Sequence, residues 1–233
     1  QTLALLGPSG AGKSTIAQLL MRFYDPTSGV ITLDGHDIAT LPRKLVRQNV
    51  ASVMHEPFLF GKTIRENIKL GRHDAPDDDM TAAARAASIH ESISTFEKNY
   101  DTVVGERGVT LSGGQRQRVA IARALLRDAP VLILDDALSA VDTHTESMIL
   151  EALRRRRGTH TTILIAHRVS TLAHADQILV IEHGRIVQRG THATLVEQEG
   201  LYRRLWNVQT ALEQDLEQEL GQDAAGALSE GSR

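Results

Sequence analysis

Gly7-Pro8-Ser9-Gly10-Ala11-Gly12-Lys13-Ser14-Thr15 is the stretch on which the reading of this chain turns. It follows the short apolar run Thr2 to Leu6 and precedes Ile16, Ala17, Leu19 and Leu20 at helical spacing, so it reads as strand, glycine-rich turn and helix. Every fixed position of GxxxxGK[ST] is filled. Glycines in such a turn let successive backbone N–H groups converge on phosphate oxygens, and the helix N-terminus adds partial positive charge. Lys13 supplies a point charge for β and γ phosphates, and the Ser14 hydroxyl suits Mg²⁺.

Further along, strands alternate with helices. Gly29 to Gly35 alternates between turn residues, Val50 to Met54 is apolar, and Val131 to Leu134, Thr161 to Ala166 and Gln177 to Ile181 are buried-strand patterns. From Thr63 to about Asp101 helix formers dominate, with an Asp/Pro-rich loop expected at Asp74 to Asp79 and an alanine-rich stretch from Thr81 to Ser88. The pattern predicts an α/β fold with a mostly parallel sheet covered on both faces, an inserted α-helical subdomain and a small antiparallel portion. Residues 1–62 and 129–208 form the expected core and 63–128 the helical subdomain. Residues 209–233 hold six acids and one base and read as an acidic tail, helical and then disordered. The abrupt entry into a strand leads us to expect a fragment of a longer polypeptide.

With 233 residues, 41% hydrophobic and 24% charged, the composition is that of a globular domain with a buried core. A formal charge of −3 provides no basic field for nucleic acid or anionic lipid, so no nucleic-acid partner is expected. The absence of cysteine excludes disulfides, cysteine-ligated zinc and thiol catalysis. No run of about 18 apolar residues occurs, so membrane attachment is expected through a partner.

A nucleotide in the turn needs a metal anchor from a neighbouring strand, and Asp135 follows Val131-Leu132-Ile133-Leu134 where a parallel strand delivers a carboxylate to the crevice. In Leu111-Ser112-Gly113-Gly114-Gln115, Ser112 can cap a helix and two glycines leave N–H groups open to phosphate.

Leu111 to Gln115 resembles the signature motif of ATP-binding cassette proteins. With the cradle, LILDDALSAVD and His167 in LIAHRVSTL, residues 1 to 208 resemble an ABC nucleotide-binding domain with a P-loop NTPase core. The resemblance implies ATP and Mg²⁺ as ligands and a dimer in which Gly7, Ser9 to Thr15 of one chain and Ser112, Gly113, Gly114 and Gln115 of the other clasp each ATP. It implies a D-loop role for Asp142 at the dimer seam and a γ-phosphate contact for His167. Gly105-Glu106-Arg107-Gly108, Arg22 to Pro26 and Phe60 to Ile68 are similar to exporter segments, which implies a transmembrane domain of the same transporter and the cytoplasmic face of the plasma (inner) membrane. The adenine-stacking aromatic of the family is expected upstream of residue 1. The basic quartet Arg154 to Arg157 reads as a solvated helix end.

Two positions depart from the family pattern. Asp136 stands where glutamate usually orients or deprotonates the lytic water, and His55, in Val53-Met54-His55-Glu56-Pro57, stands where the Q-loop has glutamine. Aspartate is one methylene shorter, and imidazole suits hard Mg²⁺ poorly. Asp136, His55 and His167 are therefore the candidate catalytic residues, and Ser14 and Asp135 the candidate metal ligands. The pair of departures predicts a site that binds ATP but hydrolyses it slowly, and favours a heterodimer over a homodimer while leaving both open. A non-hydrolysing ATP-gated dimerisation module and a soluble cassette ATPase of DNA repair or translation are the alternatives.

Overall fold

The structure, a computed structural model, describes residues 1–105, 110–156 and 158–212. Of the Gly105 to Gly108 turn only Gly105 is among them; Arg157 and residues 213–233 of the tail lie outside the described residues.

A six-stranded sheet runs in the order β4-β5-β6-β1-β7-β8. Its strands are β1 (Thr2–Leu6), β4 (Val50–Val53), β5 (Val131–Asp135), β6 (Thr161–Ile165), β7 (Gln177–Glu182) and β8 (Arg185–Gly190). All neighbours pair in parallel except β7 and β8, joined by the turn His183-Gly184, both at positive φ (50° and 74°). Strands β2 (Thr32–Leu33) and β3 (His36–Asp37) form a separate antiparallel pair. The fold is therefore the expected α/β core with a mostly parallel sheet and a small antiparallel part.

Each central strand buries both faces, which is why its sequence is an unbroken apolar run. Along β5, Leu132 and Leu134 face one core with α6 (Gly113–Arg127) and α7 (Thr143–Arg154), while Ile133 faces the other with α1 (Lys13–Leu20). Between β4 and β5 lies the helical insertion: α3 (Ile64–Lys69), α4 (Asp77–Ala86), α5 (His90–Ser94), a short 3-10 turn (Asn99–Asp101) and α6. α3 starts with a capping box in which Thr63 accepts from the Glu66 N–H and Glu66 accepts from the Thr63 N–H. The expected loop at Asp74 to Asp79 is shorter than the sequence pattern implied. α4 begins at Asp77, because Pro76 sets up its start and three aspartates in the first turn complement the helix dipole.

Among the elements not anticipated from sequence are β3, β8, a helix at Arg43–Asn49 and the short helix α9 (His192–Glu197); residues 201–212 are helical. The line drawn at 208/209 thus crosses a helix that packs on the domain. Tyr202 is fully buried there, its hydroxyl 2.8 Å from His192 Nδ1 and its N–H donating to Gln188 Oε1 at 3.1 Å. Among the described residues no helix is long and apolar enough to cross a membrane.

Candidate nucleotide site

The strand register assembles the site. β4 and β5 are aligned with Val53 opposite Leu134, and β5 and β6 with Asp135 opposite Ile165. Two residues beyond these pairs come His55, Asp136 and His167, and β1, next to β6, ends in the Gly7 turn. Residues separated by up to 160 positions thus emerge along one edge of the sheet, the carboxyl end at which ligands of open α/β sheets sit.

The cradle is held from beneath. A Cβ at Gly7 would lie 2.1 Å from the Ile181 carbonyl oxygen, so only glycine lets the turn pass β7 this closely. Gly10 and Gly12 have φ of +78° and +99°, and Gly12 is the N-cap of α1 in the left-handed region. The Gly184 N–H donates to the Ala11 carbonyl at 3.2 Å, bracing the loop from the β7–β8 turn. Lys13 is buried, and its ammonium donates to the carbonyls of Gly7 (2.7 Å) and Pro8 (2.9 Å). Burial pulls the Lys13 pKa below its ordinary value, against the upward pull of the Asp135 and Asp136 carboxylates. Ser14 and Thr15 are exposed at the start of α1, and Ser9 and Gly10 line the exposed side of the turn.

Asp135 is 5% exposed at the end of β5. Among the described residues no three His, Asp or Glu side chains converge as a ready metal cage. The donors at hand are one carboxylate, Asp135, and one hydroxyl, Ser14. That hard-oxygen pair fits Mg²⁺, which is ordinarily held by one or two protein oxygens together with water and phosphate.

The two departures from the family pattern touch each other. His55 Nδ1 lies 2.8 Å from Asp136 Oδ2, with the imidazole side chain 62% exposed and the carboxylate 18% exposed. Asp136 has φ +51°, and its N–H donates to the Ile165 carbonyl at 2.7 Å, so backbone conformation and strand register together aim its side chain toward His55. His167 is exposed just past β6 and shares with Asp136 a small cavity of about 120 Å³.

The signature residues open α6, and Gly113 among them lines one cleft with His55 of this edge. Ser112 is the N-cap of α6 in a capping box with Gln115, as its sequence implied, and Gly113 and Gly114 form the first turn. A Cβ at Gly114 would come within 2.6 Å of the Ala140 carbonyl oxygen, which explains the glycine. Asp142 caps α7, accepting from the Thr145 N–H at 2.9 Å; that bond holds its carboxyl below the usual carboxylate range.

Gln117, Glu146 and Gln209 were missed by sequence reasoning. Gln117 is buried and couples the two halves of the site: its amide donates to Ser139 Oγ at 3.0 Å and accepts from the Ala140 N–H at 3.0 Å, and it lines a cleft of about 600 Å³ with His55 and Gly113. A glutamine on the stripe that continues as Ala120, Ile121 and Ala124 was the available signal, since a polar group on a buried face needs partners. Glu146, buried on α7, accepts from Arg168 (3.0 Å) and from the Thr171 hydroxyl.

A family profile described as ABC transporter matches residues 1–139. The chain is 52% identical over 204 residues to the mitochondrial potassium channel ATP-binding subunit of Rattus norvegicus, covering 87% of this chain and 29% of that protein. It is 49% identical over 217 residues to ATP-binding cassette sub-family B member 6 of Homo sapiens, covering 93% and 26%. The solved structure of a bacterial Atm1-family ABC exporter with ATP bound superposes with a TM-score of 0.86 at 48% identity, covering 89% of this chain and 36% of that one. The chain therefore spans about a quarter to a third of the length of these relatives. Cradle, strand-end carboxylate and capped LSGGQ helix on this sheet agree with those matches: the chain belongs to the ABC transporter family, as an ATPase domain of the exporter type.

Proposed function

We propose that this domain binds Mg·ATP in the Gly7 to Thr15 cradle, closes on a second ABC domain through ATP, and so powers export by a transmembrane part of the same transporter. The observation that carries the binding reading is the cradle itself, with Lys13 buried in its floor within the electrostatic reach of Asp135 and Asp136. Backbone N–H groups of the turn would receive the phosphates, and Ser14 and Asp135 would hold Mg²⁺, which supplies neutralising charge to the triphosphate. His167, at the same edge, would contact the γ-phosphate. The signature residues Ser112 to Gln115 would serve the opposite chain's ATP, with Asp142 at the seam. Equilibrium binding of labelled Mg·ATP to the full-length protein tests this: Lys13→Ala should lose most of the affinity, and undiminished affinity refutes the reading.

The chain's own site would turn over slowly. The contact between His55 and Asp136 supports this, because a carboxylate already one methylene short of glutamate is also engaged by an imidazole at 2.8 Å. A slow site with an intact LSGGQ fits a heterodimer, in which this signature completes the partner's faster site. The exporter relatives support attachment to a membrane, and we place the domain at the cytoplasmic face of the plasma (inner) membrane.

A further inference from the structure

We infer that Gln209 is a positioning residue for His167, so that the helix of residues 201–212 belongs to the hydrolytic apparatus. The inference rests on the γ-phosphate reading of His167 given above.

One side-chain amide spans the switch segment. Gln209 Nε2 donates to the His167 carbonyl at 2.9 Å, and Gln209 Oε1 accepts from the Val169 N–H at 2.7 Å. The carbonyl lies in the turn between β6 and the short helix α8 (Val169–Leu172), and the N–H is the first of that helix, whose N-cap, Arg168, provides no side-chain cap. The first N–H groups of a helix have no partner within it, and here the missing acceptor comes from 40 residues away. The His167 ring is exposed and has no hydrogen bond of its own among the described residues, so its place is set through the backbone from which it hangs.

The segment is held on its other side by Glu146, through Arg168 and Thr171, which leaves Gln209 as the fastening from the C-terminal helix. That helix is itself anchored. Tyr202 is buried against β8 and α9, bonded to Gln188 and His192, and His192 packs edge-on against Trp206 with ring centroids 4.6 Å apart. Gln209 therefore transmits the position of a fixed helix to the His167 main chain. Displacements of about 1 Å in a reacting group cost on the order of 10²-fold in rate, so loss of this clasp should be felt in turnover.

The test compares Gln209→Ala, and the near-isosteric Gln209→Met, with wild type in the assembled full-length transporter, with hydrolysis at the opposite cradle silenced. We expect kcat to fall by roughly ten- to a hundredfold with KM for ATP unchanged and the melting temperature lowered by only a few degrees, and amide exchange to quicken in residues 167–172 of the nucleotide-free protein. In a His167→Ala background the Gln209 substitutions should add nothing further, because both act through one group. If His167→Ala is slow and Gln209→Ala lowers the rate additionally by its full factor, or if both Gln209 variants turn over at the wild-type rate, the inference is wrong while the His167 reading stands. Should His167→Ala itself run at the wild-type rate, the His167 reading fails and takes the inference with it.

Discussion

Restoring the two family residues at once, Asp136→Glu with His55→Gln, is the sharpest perturbation the site offers. Glutamate extends the carboxylate by one C–C bond, about 1.5 Å, in the direction of an imidazole nitrogen that already stands 2.8 Å from Asp136 Oδ2. Alone, Asp136→Glu must push the ring aside. His55 is 62% exposed and free to swing away. His55→Gln alone frees the carboxylate but leaves it short. Together they should recover what a misplaced base forfeits, on the order of 10²-fold in the rate of the chemical step, or about 2.7 kcal/mol at 1.36 kcal/mol per decade. Because the two side chains touch, the double variant should exceed the product of the singles, with a coupling of about 0.5 to 3 kcal/mol. The assay is turnover of ATP at this site in the full-length transporter with the opposite cradle silenced, alongside Mg·ATP affinity, which should stay unchanged. A double variant no faster than wild type would refute the account of a slow site, and strictly multiplicative singles would refute the coupling.

Other consequences can be checked by simpler means. Lys13→Met should leave the nucleotide-free melting temperature unchanged or slightly raised, since burial lowers the Lys13 pKa and the folded state holds this proton less tightly than the unfolded chain. For the same reason this group's contribution to stability should rise with pH between its lowered folded value and the unfolded value of about 10.4, and the rise should vanish in the methionine variant. Gly7→Ala places a Cβ 2.1 Å from the Ile181 oxygen, and should cost at least about 1–3 kcal/mol. Calorimetry should show that cost as a fall of about 2–4 °C per kcal/mol. Glu146→Ala strands the Thr171 hydroxyl and the Arg168 guanidinium; chemical denaturation should show a loss of roughly 1–3 kcal/mol. Asp25, Glu66, Asp77 and Asp142 are each held below the ordinary carboxylate range by hydrogen bonds, so their contribution is complete above about pH 4 and should disappear as pH falls through the lower folded values, visible in an acid titration of the melting temperature.

The parts of this molecule that could be read in advance share one physical property: their determinants are local. The cradle is a nine-residue backbone conformation that glycine permits and lysine completes, and the parallel strands announce themselves because burial on both faces demands unbroken apolar runs. Ser112 and Gln115 sit three apart, so a capping box was within reach of the sequence. β8 escaped because an edge strand with exposed Arg185, Ile186 and Val187 has neither a continuous apolar run nor a clean alternation, and its pairing was set by the His183-Gly184 turn.

What stayed illegible is contact across distance in the chain. His55 and Asp136 were each odd by themselves, and only the register Val53 opposite Leu134 makes them neighbours, turning two separate departures into one interaction. Gln209 carries no local mark of its importance and Gln117 only its place on a buried stripe, because an amide is an ordinary residue on a helix until its partners are known. Both give their oxygen to an N–H, and both give their N–H to an oxygen, of loops that bear the site. The chemistry of this edge is therefore written in short motifs, while its geometry is held by amides 22 to 42 residues away in sequence. Substitutions at those amides should alter turnover before they alter affinity, since the proposed phosphate cradle is built by its own backbone and does not lean on them.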